Sequence, residues 1–256
     1  MALPDLIRHA PVTPAAHAGQ NGGFDMARWQ DALLAGGENP RLGSRFNAQG
    51  QFLPEHGNTI VAQVTAGSPT EAALIDLRQA LMALPFADHF AFTAVQSYHM
   101  TVFEGVIETR RARGYWPDDL ALDTSIDEMT DAMSAKLAGF TAPPPFKMRL
   151  DEVTPLGLHL TGATPQDEAA ARAWRDALAQ ALGFRTPEHD TYGFHTTMAY
   201  QKRWPEAEAL GHYERALAQL GAAFAARVPV LDLDPPAFCR FGDMNAFPPV
   251  RRFVGA

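Results

Sequence analysis

A chain of 256 residues with 46% hydrophobic side chains has material for one large domain or two closely packed lobes with a sizeable core. Its net charge of −8 argues against tight nonspecific binding to a long nucleic acid, which relies on many Lys and Arg contacts to phosphates, yet leaves room for a small anion held by a few local cations. No apolar run reaches membrane-spanning length, no basic start followed by an apolar stretch marks a secretory signal, and the lone Cys239 excludes both an internal disulfide and a CxxC-type zinc site; a cytoplasmic setting is expected.

Residues 1–23 are rich in Ala, Pro and Gly without periodicity and read as a flexible N-terminal arm, ahead of a single domain over 24–256. RLGSRFNAQGQFLPEHGN is full of turn-formers and is expected to wrap the surface. TIVAQVT (59–65) reads as a strand, and Ser68-Pro69-Thr70-Glu71 then supplies an N-cap, a proline at the first helical position and an early acid, so a helix is expected to about Leu84. Residues 92–106 suit a long strand, 125–139 a second helix, and FKMRLDEVTPLGLHLTG two strands joined near Thr154-Pro155. Thr164-Pro165 opens a helix through Ala171, Trp174 and Leu178 to Leu182. GFHTTMAYQ reads as the next strand, 205–224 as a helix, and VPVLDL with FCRFGDMNAF as two closing strands.

This order repeats in one frame. Thr164-Pro165 follows Ser68-Pro69 by 96 positions, and the same offset lays Leu156, Leu158 and Leu160 over Ile60, Ala62 and Val64. His195-Thr196-Thr197 likewise follows His99-Met100-Thr101 by 96. A period this long reads as a duplicated lobe (roughly 58–150 and 151–250) rather than a solenoid repeat.

His-x-Thr by itself is a weak signal and occurs here at His99, His159, His189 and His195. His189 stands in a loop-like composition and reads as a surface residue, while His159 has Gln63 as its counterpart and breaks the duplication. His99 and His195 pass both filters. In a strand, residues two apart share a face, so each of these histidines projects beside its own threonine, with Met100 and Thr196 turned away. Two lobes packed about a pseudo-twofold axis would bring the four side chains together. Phosphodiester cleavage needs such a set: one imidazole to take a proton, one imidazolium to give one, and hydroxyls to hold phosphoryl oxygens.

Two H-x-[ST] motifs, one per half of a duplicated α+β chain, resemble the two-histidine (2H) phosphoesterases, which include LigT-like RNA cyclic phosphodiesterases. LGSRFNAQGQFLPEHGNTIVAQV, SYHMTVFEGV and YGFHTTMAY are most similar to an uncharacterised branch of that superfamily, over roughly residues 40–250. The resemblance implies a duplicated two-lobe LigT-like fold, with antiparallel sheets lining a central cleft and helices outside. It implies His99, Thr101, His195 and Thr197 as the catalytic set, with no metal and no cofactor. The activity implied is hydrolysis of a cyclic phosphate on a nucleotide or short RNA end; the acidic charge and the N-terminal extension depart from the RNA-processing members.

Around that set, Phe103 shares a strand face with His99 and Thr101 and is a candidate to stack on a base, or else packs inside its lobe. Tyr192 sits at the mouth of the second motif strand and is a candidate to touch substrate, with loop packing as the plainer alternative. Arg45, Lys147, Arg149 and Arg240 are candidate cations for the phosphate, each with a solvated surface charge as the plainer alternative, and Arg110-Arg111-Ala112-Arg113 reads as a solvated basic loop, with a ligand-guiding role as the alternative. The expected partner is a small phosphodiester or cyclic nucleotide. A binding module that recognises such a ligand without turning it over is the alternative on the same fold, and a zinc hydrolase lacks its HExxH-type spacing.

Overall fold

The computed structural model describes residue 39, residues 41–203 and residues 207–253, with backbone alone at 207–213; the expected N-terminal arm lies outside the described residues. The elements run β1 (Gly57–Gln63), α1 (Pro69–Met82), β2 (Phe90–Phe92), β3 (His99–Ile107), α2 (Ile126–Lys136), β4 (Met148–Thr154), β5 (Gly157–Gly162), α3 (Pro165–Leu182), β6 (His195–Thr197), β7 (Ala199–Gln201), α4 (Ala207–Arg227), β8 (Ala237–Phe241) and β9 (Pro249–Arg252). Seven strands form one antiparallel sheet in the order β4-β5-β6-β3-β1-β8-β9, and β2 pairs with β7 in a separate two-stranded ribbon.

Local chemistry sets the helix starts. The Ser68 and Thr164 hydroxyls accept from the amides of Glu71 and Asp167, each with proline next in the chain, and Ser125 forms a capping box with Glu128. α3 packs on β3 and β5, α4 on β4, α2 on β1, and α1 against α4. This helix-covered face of the sheet holds the main core, which includes Ile60, Met100, Val102, Phe103, Leu158, Trp174 and Leu178. The opposite face carries a second, smaller cluster of Val61, Ala237, Cys239, Phe241, Met244 and Phe247. Among the described residues no helix is long and apolar enough to cross a membrane.

The pairing registers repeat. Gln63 pairs with His99, Ala62 with Met100 and Val61 with Thr101; 96 residues on, His159 pairs with His195, Leu158 with Thr196 and Gly157 with Thr197. β3 meets β6 antiparallel at Met100–Thr196, itself a pair 96 apart.

Several expectations needed correction. GFHTTMAYQ is not one strand: the chain leaves the large sheet at Met198, and 199–201 join the ribbon with β2. VPVLDL forms no strand beyond an isolated bridge from Leu233 to Val64, and the closing pair is β8 with β9. His189 is no surface residue. It is 4% exposed, with Nε2 on Asp176 at 3.0 Å and its ring against Phe103.

Candidate active site

Met100 and Thr196 are buried on the helix-covered face and oppose one another across the β3–β6 pair. Side chains alternate along a strand, so the residues on either side of each turn to the other face. That places His99, Thr101, His195 and Thr197 together on the lining of one cleft. Because the strands are antiparallel, His99 stands beside Thr197 and His195 beside Thr101.

Each imidazole is held the same way. His99 Nδ1 donates to the Ser97 carbonyl at 2.6 Å, and His195 Nδ1 donates to the Gly193 carbonyl at 2.8 Å. A backbone carbonyl only accepts, so Nδ1 carries the proton and Nε2 is the nitrogen left for chemistry. Phe247 packs its ring on His99 with centroids 4.2 Å apart, and Tyr192 lies 5.7 Å from the His195 ring.

Burial governs the charge of both histidines. Desolvation pushes His99 down to about 4, partly offset by the Ser97 carbonyl and deepened by the neighbouring His195. Desolvation also lowers His195, against the Gly193 carbonyl and with His159 and Arg175 adding to it. Both rings therefore rest as neutral imidazoles near neutral pH.

Tyr192 is 1% exposed and lines the cleft, its phenol held well above its usual range by burial and by Glu104, and its ring covered by the Arg175 guanidinium at 3.9 Å. Arg175, itself 1% exposed, donates to the carbonyls of Val102 in β3 and His189. It ties α3 to the first motif strand and to the loop before the second. Arg45 also lines the cleft but is committed to Glu55 at 2.6 Å and lies 5.2 Å from the Tyr200 ring.

Phe103 does not reach the cleft. Ile60 pairs with Phe103 and Val61 with Thr101, so one extra residue, Val102, is inserted in β3. Such a bulge reverses the alternation beyond it. Phe103 turns into the core, edge-on to Phe184, and Glu104 takes the cleft side in its place. Arg110, expected as part of a solvated loop, lines the cleft as well. Arg111 and Arg113 instead hold the carbonyls of Leu122, Thr124, Pro117 and Leu120, and Arg240 pairs with Asp127 at the surface. Lys147 and Arg149 do not line the cleft. Among the described residues, no three His, Cys, Asp or Glu side chains come together as a metal site would require.

Comparison with known proteins gives one family model and a similar solved structure. Residues 45–159 match a family model named 2H-phosphodiest and described as a domain of unknown function, DUF1868. A crystal structure of a conserved protein of unknown function from Agrobacterium tumefaciens is similar at 44% identity and a TM-score of 0.84, over 85% of this chain and 94% of that one. No curated protein matches the chain.

Proposed function

The chain belongs to one family with that Agrobacterium protein and bears the 2H-phosphodiest domain, and from this premise we propose that it is a metal-independent phosphodiesterase that opens a cyclic phosphate on a nucleotide or short RNA end. The observation that carries the reading is the pair of imidazoles, each clamped through Nδ1 by the carbonyl two residues earlier and each lining the same cleft. We read the chain as two LigT-like lobes made by duplication, a reading supported by the repeated registers and by the antiparallel meeting of the two motif strands at Met100–Thr196.

In this mechanism the phosphodiester lies between the two Nε2 atoms, with the Thr101 and Thr197 hydroxyls donating to its non-bridging oxygens. One neutral Nε2 takes a proton from water as the water oxygen bonds to phosphorus. The ring P–O bond on the far side breaks, and the other Nε2, protonated, gives its proton to the departing oxygen. The product is a phosphomonoester, and the two rings end with their protonation states exchanged. Both imidazoles are neutral at rest, so the acid ring takes its proton from solvent as the substrate binds: an anionic phosphate against His99 and His195 raises their basicity and offsets their desolvation.

The test is turnover of nucleoside 2′,3′-cyclic monophosphates in EDTA by the native protein and by His99→Ala and His195→Ala. Each substitution is expected to lower kcat by about 10²–10⁴-fold, the usual worth of a positioned proton-transfer group, with an unchanged unfolding midpoint as the control. Activity that vanishes with chelator and returns with a divalent ion would refute the metal-free mechanism. Binding without turnover across the panel would instead identify a nucleotide-binding module.

A further inference from the structure

We propose that Glu104 and Arg110 form a second subsite in the cleft, beside the paired histidines, that reads the hydrogen-bonding edge of the substrate's nucleobase.

The two ion pairs of the cleft wall differ sharply. Glu55 is 0% exposed and fully engaged: Arg45 Nε reaches one oxygen at 2.6 Å, and Thr109 Oγ1 and Arg41 Nη1 reach the other at 2.5 and 3.4 Å. That pair is structural, fastening residues 41–55 to the end of β3. Glu104 is 5% exposed, yet among the described residues its carboxylate takes one long hydrogen bond, from Arg110 Nη1 to Oε1 at 3.3 Å. Among the described residues its Oε2 has no hydrogen-bond partner, and neither do Nε and Nη2 of Arg110, whose guanidinium lies 4.1 Å from the Tyr115 ring. A buried carboxylate and guanidinium with three unsatisfied polar atoms between them are costly to keep. Such a cost is expected where a ligand later supplies the missing partners.

The position fits a nucleotide. The bulge at Val102 delivers Glu104 to the cleft side three residues beyond Thr101, at most about 10 Å along the strand at ~3.3 Å per residue. A base attached to a phosphate held at Thr101 and His195 extends over that distance. Tyr200, Phe241 and Phe247 also line the cleft and supply flat surface for a ring. Glu104 Oε2 offers an acceptor next to the donors of Arg110, the complement of a base edge that presents an N–H beside a carbonyl or ring nitrogen. Burial raises Glu104 above the usual carboxylate range, against the pull of Arg110 and Arg175, and an N–H donor on Oε2 would favour the ionised form.

This inference assumes a nucleotide ligand but not its turnover. The experiment is calorimetric titration of the native protein with uridine 3′-monophosphate and with its N3-methyl analogue, which differs by loss of the base N–H. The native protein is expected to bind the analogue about tenfold more weakly, and Glu104→Ala to bind both alike. Equal affinities on the native protein would overturn the subsite, as would a penalty that persists in Glu104→Ala or an absence of binding by either ligand. Should Glu104→Ala not fold, Glu104→Gln, which lacks the carboxylate charge, is expected to shrink the difference; an undiminished penalty would overturn it. N–H-dependent binding without hydrolysis of any cyclic nucleotide would leave the subsite standing while removing the phosphodiesterase reading.

Discussion

At the scale of single residues, the proposed chemistry rests on two rings that would have to change charge in a place that disfavours charge. Both histidines are held neutral by burial, His99 down to about 4, so ligand binding near neutrality takes up a proton. Phosphate or a nucleoside monophosphate is expected to bind more tightly as pH falls from 7 to 5, with proton uptake measurable as buffer-dependent binding enthalpy; pH-independent affinity would contradict the depressed imidazoles. In the proposed mechanism the threonines transfer no proton and act only by donating hydrogen bonds to the phosphoryl oxygens. Thr101→Val and Thr197→Val, which keep shape and remove the hydroxyl, are each expected to lower kcat by about 10–10³-fold with little change in KM, read from steady-state rates. The gathering of His99, Thr101, His195 and Thr197 on one cleft was legible in the sequence because a motif and a 96-residue offset agreed on them. The place of Glu104 was not, because strand parity counts Phe103 onto the cleft face and cannot foresee the extra residue at Val102 that puts Glu104 there instead.

At the scale of elements, helix starts were the most legible feature, since Ser68-Pro69, Ser125 and Thr164-Pro165 write their capping chemistry into adjacent positions. The split of GFHTTMAYQ between two sheets was not legible. It depends on where Met198 meets its partners: its N–H bonds the Leu156 carbonyl while its own carbonyl accepts from the Thr93 amide. β6 is only three residues long and is fixed from the side by Gly157, which pairs with Thr197 at φ +141. A Cβ at Gly157 would stand 2.1 Å from the Thr196 carbonyl oxygen. Gly157→Ala is therefore expected to cost about 1–3 kcal/mol of stability and to lower kcat/KM by displacing His195 and Thr197. Denaturant unfolding and kinetics report the two effects, and a native-like variant would show that β5 does not set the position of β6.

At the scale of the whole molecule, the two motif strands are neighbours in one continuous sheet. A fragment ending at residue 147 keeps β1 and β3 but leaves the β6 edge of β3 unpaired and exposed. It is expected to self-associate or aggregate in size-exclusion chromatography, and a stable, soluble monomer would contradict that. Stability of the intact chain should also depend on pH. A histidine lowered on folding leaves the unfolded chain binding more protons, so its contribution is complete above the unfolded value near pH ~6.5 and is lost as pH falls toward the folded value, about 4 for His99. Unfolding midpoints measured between pH 7 and 4 are expected to decline over that window. One further consequence follows from the repeat itself. Two interchangeable histidine–threonine pairs would accept a substrate and its reversed copy alike, as an unmarked key turns either way in its lock. At the position 96 residues beyond Glu104 the chain carries Tyr200, and both line the cleft. On the reading of the chain as a duplication, one half carries an acid where the other carries an aromatic ring, and that mismatch would give an otherwise ambidextrous cleft a sense of direction.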